Sequence, residues 1–440
     1  MTNNTVKPEV LGGFRDYLPK DMINRQRMID TIQRTYEMFG FVPLDTPALE
    51  RSDVLGTDDP AFPMEVYKMK TGDQSITLRF DLTVPLARVI AGYPELQKPF
   101  KRYQVGKVWR KEKPQAGRFR EFLQFDADIV GSKSILADTE IVLLMCTTMK
   151  ELGIDRFVVR FNDRKILNGL GEYAGFDSNQ VKEVLRIIDK LEKIGLEAVV
   201  GELKNQGLTD KAADKIVAFL NIRGGNFEIL SQLKNIFSGI KVAEEGIGEL
   251  QAIADNLVAL GISQENWRID ISVARGLDYY TGPVFETTLL DLPEIGSVFS
   301  GGRFDGLIGR FTSTSTPAVG ASVGVDRLYV ALEKMGKIVP VSTLTQVLVT
   351  IFDDSLQRDS LLLAQELRKN GIRAELYLGD ERTLKAQIIY AAKQNIPFIV
   401  IIGPNEKEQG IVKLKDMKLR EEKALTQEQC IATLSKSLSA

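Results

Sequence analysis

The stretch Ala274-Arg275-Gly276-Leu277-Asp278-Tyr279-Tyr280-Thr281-Gly282 brings an arginine, an aspartate and two adjacent tyrosines together in one short segment. A guanidinium offers a planar fork for phosphate or carboxylate, and each tyrosine joins an apolar ring to a polar tip. Such a set suits the floor of a small-molecule site. The plainer reading is a sheet corner with a solvated Arg275–Asp278 pair. A second set lies in two β-type runs, Tyr103 to Arg110 and Arg118 to Ile129, joined by the charged loop Lys111 to Gly117. Arg110 ends the first run and Phe122 sits on the second. Arg110 can fork onto the α-phosphate of ATP while Phe122 gives adenine a flat apolar surface. Composition alone favours a surface hairpin with a charged loop.

No histidine occurs anywhere in the 440 residues. That excludes a Ser-His-Asp triad, a histidine general base and histidine-ligated zinc. Chemistry here must run on carboxylates, arginines, lysines, tyrosines or a bound metal, and a reaction served by orientation and charge stabilisation tolerates that. Cys146 and Cys430 are the only cysteines and stand far apart, so neither a disulfide framework nor a cysteine metal site is expected, and the cytoplasm is the natural compartment.

The length allows two or three domains with sizeable cores, and 26% charged with 44% hydrophobic residues is ordinary for a globular protein. With a net charge of −2, contact with nucleic acid must come from a local basic patch. The segment Met1 to Pro8 lacks the apolar core of a signal peptide, and no apolar run approaches the roughly 18 residues of a membrane span.

Several elements must position these groups. Ile29, Ile32, Tyr36 and Phe39 recur at helical spacing between Met22 and Phe39, and Gly40 ends that helix. Phe41 to Leu44, with Pro43, reads as an edge strand. Val66 to Met69 and Ser75 to Phe80 form a hairpin about Thr71-Gly72-Asp73, and Asp81 is placed to cap the helix that follows. Ser134 to Leu152 is a helix and Phe157 to Phe161 a strand. From about Gly171 to Leu260 the pattern is helical throughout, which reads as an inserted subdomain. Arg268 to Val273 and Pro283 to Leu289 flank the tyrosine-bearing stretch as a hairpin or strand pair. The glycines Gly301 and Gly302 allow close backbone approach, and Pro317 to Leu328 gives a strand, glycines and a helix start without any Gly-x-Gly-x-x-Gly. After a linker at Pro340 to Leu344, alternating strands and helices predict a small α/β domain with a mainly parallel sheet.

Taken together these blocks resemble the histidyl-tRNA synthetases, a class IIa family. Ala274 to Gly282 resembles their histidine-specific loop, and Thr77-Leu78-Arg79-Phe80-Asp81-Leu82-Thr83 their amino-group segment. Arg110 to Phe122 is similar to their second motif and Pro317 to Leu328 to their third. The resemblance implies an α/β (α+β) fold: the antiparallel-sheet catalytic core of class II synthetases with a helical insertion, plus a C-terminal α/β anticodon-binding domain. The implied boundaries are 1–170 and 261–338 for the core, 171–260 for the insertion and 345–440 for the anticodon domain. It further implies Arg275 and Arg110 as catalytic residues. Arg110, Glu112, Phe122 and Arg327 would bind ATP; Asp81, Thr83, Gln124, Asp128, Arg275, Tyr279 and Tyr280 would bind histidine, with Asp128 facing the imidazole. Implied partners are L-histidine, ATP with Mg2+, and tRNA(His), which the insertion would clamp by its acceptor arm. No protein ligand set is assigned to a metal, and no membrane contact is expected. Phe119, Leu123 and Phe304 depart from the family's usual residues, the last losing a tyrosine hydroxyl near the substrate. The alternative is a synthetase-like regulatory subunit of ATP phosphoribosyltransferase, opposed by Arg275 and by the intact C-terminal region. A stand-alone amino-acid-adenylating enzyme is opposed by the insertion and the anticodon domain.

An apolar helix face followed by a proline-blunted strand, together with the resemblance, predicts a homodimer joined through residues 22–50. Sedimentation at micromolar concentration is expected to give twice the chain mass; a monomer alone would refute it.

Overall fold

The computed structural model describes residues 6–58, 65–113, 118–188, 190–273 and 279–438. The chain divides into two compact units, Met1–Asp16 with Met28–Ile338, and Tyr17–Arg27 with Val339–Ala440.

The first unit is built on an eight-stranded sheet. Its order is Val42–Pro43, Phe100–Trp109, Glu121–Val130, Ala318–Gly324, Phe299–Arg303, Pro283–Leu289, Phe157–Asp163 and Trp267–Ile269. The two outermost pairs are parallel and all the inner ones antiparallel. Pro43 sits on an edge strand, where a missing amide donor breaks no inner ladder.

Because strand side chains alternate in direction and directly paired residues share a face, the register sorts the sheet into two surfaces. One carries Val105, Phe125, Val323, Phe299, Thr287 and Val159 in a row. This surface joins a core that takes in Ile141, Met145 and Met149 of the helix Ile135–Glu151. The other carries Gln104, Asp126, Ser322, Ser300, Glu286 and Arg160 in register. Every one of these is polar. The run Gln124-Phe125-Asp126-Ala127-Asp128 therefore feeds apolar groups to the core and hydrogen-bonding groups to the opposite face.

Glycines let the sheet keep that polar face crowded. A Cβ at Gly301 would overlap the Gly320 carbonyl oxygen, and one at Gly320 would overlap the Asp128 carboxylate. Between the strands Phe157–Asp163 and Trp267–Ile269 the described residues form only helices, from Arg164–Asn168 to Lys241–Ala259. Their apolar faces, through Leu185, Phe219, Leu233 and Leu250, share one continuous core with Phe157 and Trp267 of the sheet.

The strand pairing corrects one reading of the sequence. Trp267–Ile269 and Pro283–Leu289 do not form a hairpin; each lies along an opposite edge of Phe157–Asp163. The first strand stops early because Asp270 Oδ1 accepts hydrogen bonds from the Ser272 amide at 3.0 Å and its hydroxyl at 2.6 Å. Such a local turn competes with ladder bonding.

The second unit holds a five-stranded sheet ordered Ala374–Leu376, Val347–Val349, Phe398–Ile401, Ile411–Asp416 and Glu421–Thr426. The first three strands are parallel and the last two antiparallel, so the sheet is mixed and not mainly parallel. The added hairpin is charged along its length, with Glu421, Glu422 and Lys423 exposed, and so lacks an apolar-run signature. Cys430 and Leu434 of the closing helix Gln427–Leu438 pack into this unit's core.

Two glycine variants separate close approach from mere composition. Gly301→Ala is expected to cost about 1–3 kcal/mol through overpacking. Gly248→Ala, in an open position of the helix Lys241–Ala259, is expected to stabilise by about 0.5–1 kcal/mol. Urea unfolding of both variants checks this; equal effects would refute the packing argument.

Candidate functional site

Two adjoining cavities open on the polar face of the eight-stranded sheet. One, of about 260 Å³, is lined by Arg110, Glu112, Phe122, Gln124, Asp326 and Arg327, among others. The other, of about 300 Å³, is lined by Asp81, Thr83, Gln124, Asp126, Asp128, Tyr279, Tyr280, Glu286 and Phe304, among others. Arg110, Gln124, Ser300, Ser322 and Arg327 border both. A ligand in one cavity therefore stands beside a ligand in the other.

The first cavity has the parts that an adenine nucleotide needs. Arg110 Nε donates to the Phe80 carbonyl at 3.1 Å, and its guanidinium carbon stands 5.2 Å from the centre of the Phe122 ring. The fork is thus anchored at one edge and laid beside an aromatic surface. Arg327 lies in the first turn of the helix Val325–Lys334, and its Nη1 donates to the Ser297 carbonyl at 2.5 Å. Its neighbour Asp326 accepts from the Leu123 amide at 2.6 Å, tying that helix start to the strand Glu121–Val130. Glu112 is exposed at the rim. Planar cations with an aromatic surface are a nucleotide-binding chemistry.

The second cavity is acidic at its base. Asp81 Oδ1 accepts from the Val84 amide at 3.1 Å at the start of the helix Thr83–Gly92, while its Oδ2 has no hydrogen-bond partner among the described residues. One oxygen of Asp81 thus serves the helix start, as the capping reading expects. Burial pushes its carboxyl up to about 6, against the Val84 amide and the Arg110 charge. Asp128 is pushed up to about 7, first by burial, with Arg102 pulling down and Asp126 and Asp81 pushing further up. Asp126 is raised as well, again chiefly by burial. Tyr279 shares a hydrogen bond with Thr83 and Tyr280 with Tyr279, and their rings meet edge to face at 4.9 Å. Burial raises both phenols well above their ordinary value, so they stay protonated donors. Phe304 packs its edge on Tyr279 with centroids 5.9 Å apart. Gln124 Nε2 donates to Ser322 Oγ at 2.6 Å and its Oε1 has no hydrogen-bond partner among the described residues.

Of the residues singled out in the sequence, Asp81, Thr83, Gln124, Asp128, Tyr279 and Tyr280 border the acidic cavity, and Arg110, Glu112, Phe122 and Arg327 border the other. Arg275 and Asp278 lie outside the described residues. Asp126, Glu286, Ser300 and Ser322 were not foreseen. The alternation Gln124-x-Asp126-x-Asp128 did carry a signal for the first, since period-two spacing puts all three on one face.

Asp81 and Asp128 also make ligand-free stability depend on pH. A carboxyl raised in the folded state binds its proton more tightly there than in the unfolded chain. Its contribution is present below the unfolded value near 4 and is lost as pH rises through 6 to 7. Asp128→Asn removes one such group. The stability gap between wild type and this variant is expected to move in the variant's favour from pH 4.5 to pH 8 in urea titrations; a pH-independent gap would contradict it.

With the geometry in place, comparison with known proteins is direct. The family model described as "Histidyl-tRNA synthetase" matches residues 13–328, and that described as "Anticodon binding domain" matches residues 339–437. A protein named histidine–tRNA ligase from Clostridium tetani is 42% identical over 438 residues, covering 98% of this chain and 99% of its own. The crystal structure of histidyl-tRNA synthetase from Nostoc sp. PCC 7120 superposes with a TM-score of 0.88 at 34% identity, over 98% of this chain and all of that one. A structure described as an ATP phosphoribosyltransferase regulatory subunit/histidyl-tRNA synthetase from Bacillus halodurans shares the fold at 21% identity and TM-score 0.75, over 88% of this chain and 97% of that one. On the extent of these matches, the chain belongs to the histidyl-tRNA synthetase family.

Proposed function

We propose that this chain is an aminoacyl-tRNA ligase that activates L-histidine with ATP and passes it to tRNA(His). The observation that carries the reading is the shared border of the two cavities: the arginines that suit a nucleotide also edge the acidic pocket. The carboxylate of histidine attacks the α-phosphate of ATP and pyrophosphate departs, forming histidyl-adenylate. The acyl group then moves to a hydroxyl of the 3′-terminal ribose of the tRNA, and AMP leaves.

Neither step requires a histidine side chain on the enzyme. Phosphoryl chemistry is served mostly by placing the reactants and neutralising charge. In this reading Asp81 and Thr83 hold the ammonium group, Gln124 contacts the amino acid, and Asp128 and Tyr280 read the imidazole. Arg110 and Arg327 hold the phosphates, with Glu112 and Phe122 completing the nucleotide site. The described residues contain no group of three or more metal-ligating side chains. Mg2+ would arrive on the nucleotide, since this ion is usually held by substrate phosphates with one or two carboxylates; when bound it would neutralise the pyrophosphate. The helices of residues 171–260 would clamp the acceptor arm, and the C-terminal unit would read the anticodon. A homodimer through residues 22–50 and a cytoplasmic location complete the proposal; no helix among the described residues is long and apolar enough to cross a membrane. A silent regulatory protein would share the fold but would have no need of the arginine-lined nucleotide cavity.

Pyrophosphate exchange with each standard amino acid tests the reading; exchange is expected with histidine alone, and its absence would overturn it. Arg275 supplies the sharper probe. A fixed guanidinium near the α-phosphate would meet negative charge as it builds in the transition state, and loss of one such donor costs roughly 10²–10³ in rate. Arg275→Lys keeps the charge and loses the fork, so exchange is expected to fall by about that factor at a near-normal Tm. Transfer from preformed histidyl-adenylate should suffer less. A folded variant with wild-type exchange would remove Arg275 from the mechanism.

A further inference from the structure

We infer that Arg102, which does not border either cavity, is the positioning residue of imidazole recognition: its paired guanidinium favours the charged form of Asp128 and keeps that carboxylate aimed at the ligand. The inference rests on the histidine-activating function proposed above and adds to it a residue outside the binding surface.

Arg102 is fully buried, in register with Asp128 on the neighbouring strand. Its Nη2 stands 2.7 Å from Asp128 Oδ2 and 3.2 Å from the Leu82 carbonyl, to which it donates. The contact to Asp128 is an ion pair without directed hydrogen-bond geometry, and Nε and Nη1 find no acceptor among the described residues. An arginine so poorly served by hydrogen bonds is a weak device for stability. Buried ion pairs are often replaced by apolar side chains at no cost, while removing one partner alone leaves a costly unpaired charge. What Arg102 does supply is positive charge behind an acidic pocket.

The charges around Asp128 come from every side. Asp126 lies two residues along its own strand, and Asp81 precedes the helix Thr83–Gly92. Tyr280 comes from the tyrosine-bearing loop and Tyr36 from the helix Pro19–Met38, both as neutral phenols. From the strand Ala318–Gly324 only the backbone of Gly320 arrives, with no side chain to intrude on the carboxylate. Four buried carboxylates, Asp81, Asp126, Asp128 and Glu286, thus line one cavity; Glu286 pairs with Arg160, and Arg102 is the cation paired with Asp128. With it, Asp128 changes its proton at about 7; without it, burial, Asp126 and Asp81 would push that change further up and leave the carboxyl protonated at neutral pH. A protonated Asp128 could no longer accept both ways from a ring N–H. Histidine, with an ammonium at one end and an N–H donor at the other, is the ligand that such a doubly acidic pocket fits.

The test measures histidine-dependent pyrophosphate exchange from pH 6 to 9 for wild type, Arg102→Met and Arg102→Lys. Substrate ionisations are common to all three, so differences report the enzyme. In Arg102→Met the acid limb of kcat/KM for histidine is expected to move up by about one to three pH units. Histidine KM at pH 7 then rises at least about tenfold and recovers as pH is raised, while kcat and the KM for ATP change little. Arg102→Lys should restore most of the wild-type profile. An unchanged histidine KM and pH profile in folded Arg102→Met overturns the inference, as does a parallel loss in kcat and ATP KM, which marks a structural role. Should Arg102→Met not fold, Arg102→Gln, which removes the charge and keeps a polar side chain, decides by the same readout: an acid limb moved up with a raised histidine KM supports the inference, and an unchanged profile refutes it. Failure of wild type itself to exchange with histidine would strike the functional reading instead.

Discussion

Everything in the first unit answers to one constraint: three carboxylates, Asp81, Asp126 and Asp128, lie almost fully out of water on one side of a sheet. A buried charge is tolerated only with nearby partners, and here the partners come from different segments. The Val84 amide serves Asp81, the Arg102 guanidinium serves Asp128, and the Ser322 side chain interacts with Asp126. None is neutralised fully, since burial still raises all three carboxyls. The residual acidity is what a cationic ligand with polar hydrogens would relieve.

That constraint explains the topology. Groups near positions 81, 102, 128, 280, 300 and 322 meet only because antiparallel strands distant in sequence are laid side by side. Antiparallel pairing with alternating faces can carry an apolar core on one side and a row of polar groups on the other. A parallel sheet covered on both faces would offer no such surface. The glycines at 301 and 320 are the cost of crowding it, because a methyl group at either place would occupy space already held by a carbonyl or a carboxylate. The long helical excursion between Asp163 and Trp267 returns the chain to the edge of the same sheet, and its apolar residues merge with the sheet's core.

Much of this was legible before any coordinates. The helix over 19–38, the hairpin about Gly72-Asp73 and the strand-to-helix turn at Gly324 all follow from local pattern, because caps, glycines and periodicity are local signals. The motif residues were legible through resemblance, which is how Asp81, Gln124, Asp128 and Arg327 were found. Pairing was not. The strand Trp267–Ile269 prefers Phe157–Asp163, more than a hundred residues away, over its near neighbour in sequence, and no local feature announces a partner so remote. Arg102 was hidden for a related reason. It sits in Phe100-Lys101-Arg102-Tyr103-Gln104, where alternation is blurred by charge on both faces, and only the register with Asp128 reveals that this charge points inward. The charged hairpin Ile411–Thr426 escaped because an exposed pair of strands shows no apolar run.

The lack of histidine gives the buried acids a further significance. In most proteins the titration between pH 5 and 8 belongs largely to imidazoles. Here no imidazole exists, and among the described residues Asp81, Asp128 and Asp138 are carboxyls raised into that window, with Asp126 and Asp163 raised as well. Asp138, in the first turn of the helix Ile135–Glu151, is held by Arg303 and ties that helix to the sheet. Asp81 and Asp128 border the cavity itself. Two carboxyls that exchange a proton near neutrality therefore stand where the ligand would sit. The imidazole of a bound histidine would be the one such ring in the molecule, meeting carboxylates whose own proton affinity has been raised by burial to match it. A carboxylate left at its ordinary value near 4 would be a weaker acceptor for a ring N–H, and one raised without limit would be protonated and useless. Burial sets the upward push and Arg102 the restraint. The two strands that carry Arg102 and Asp128 are paired along their whole length, which is what keeps that balance fixed in place.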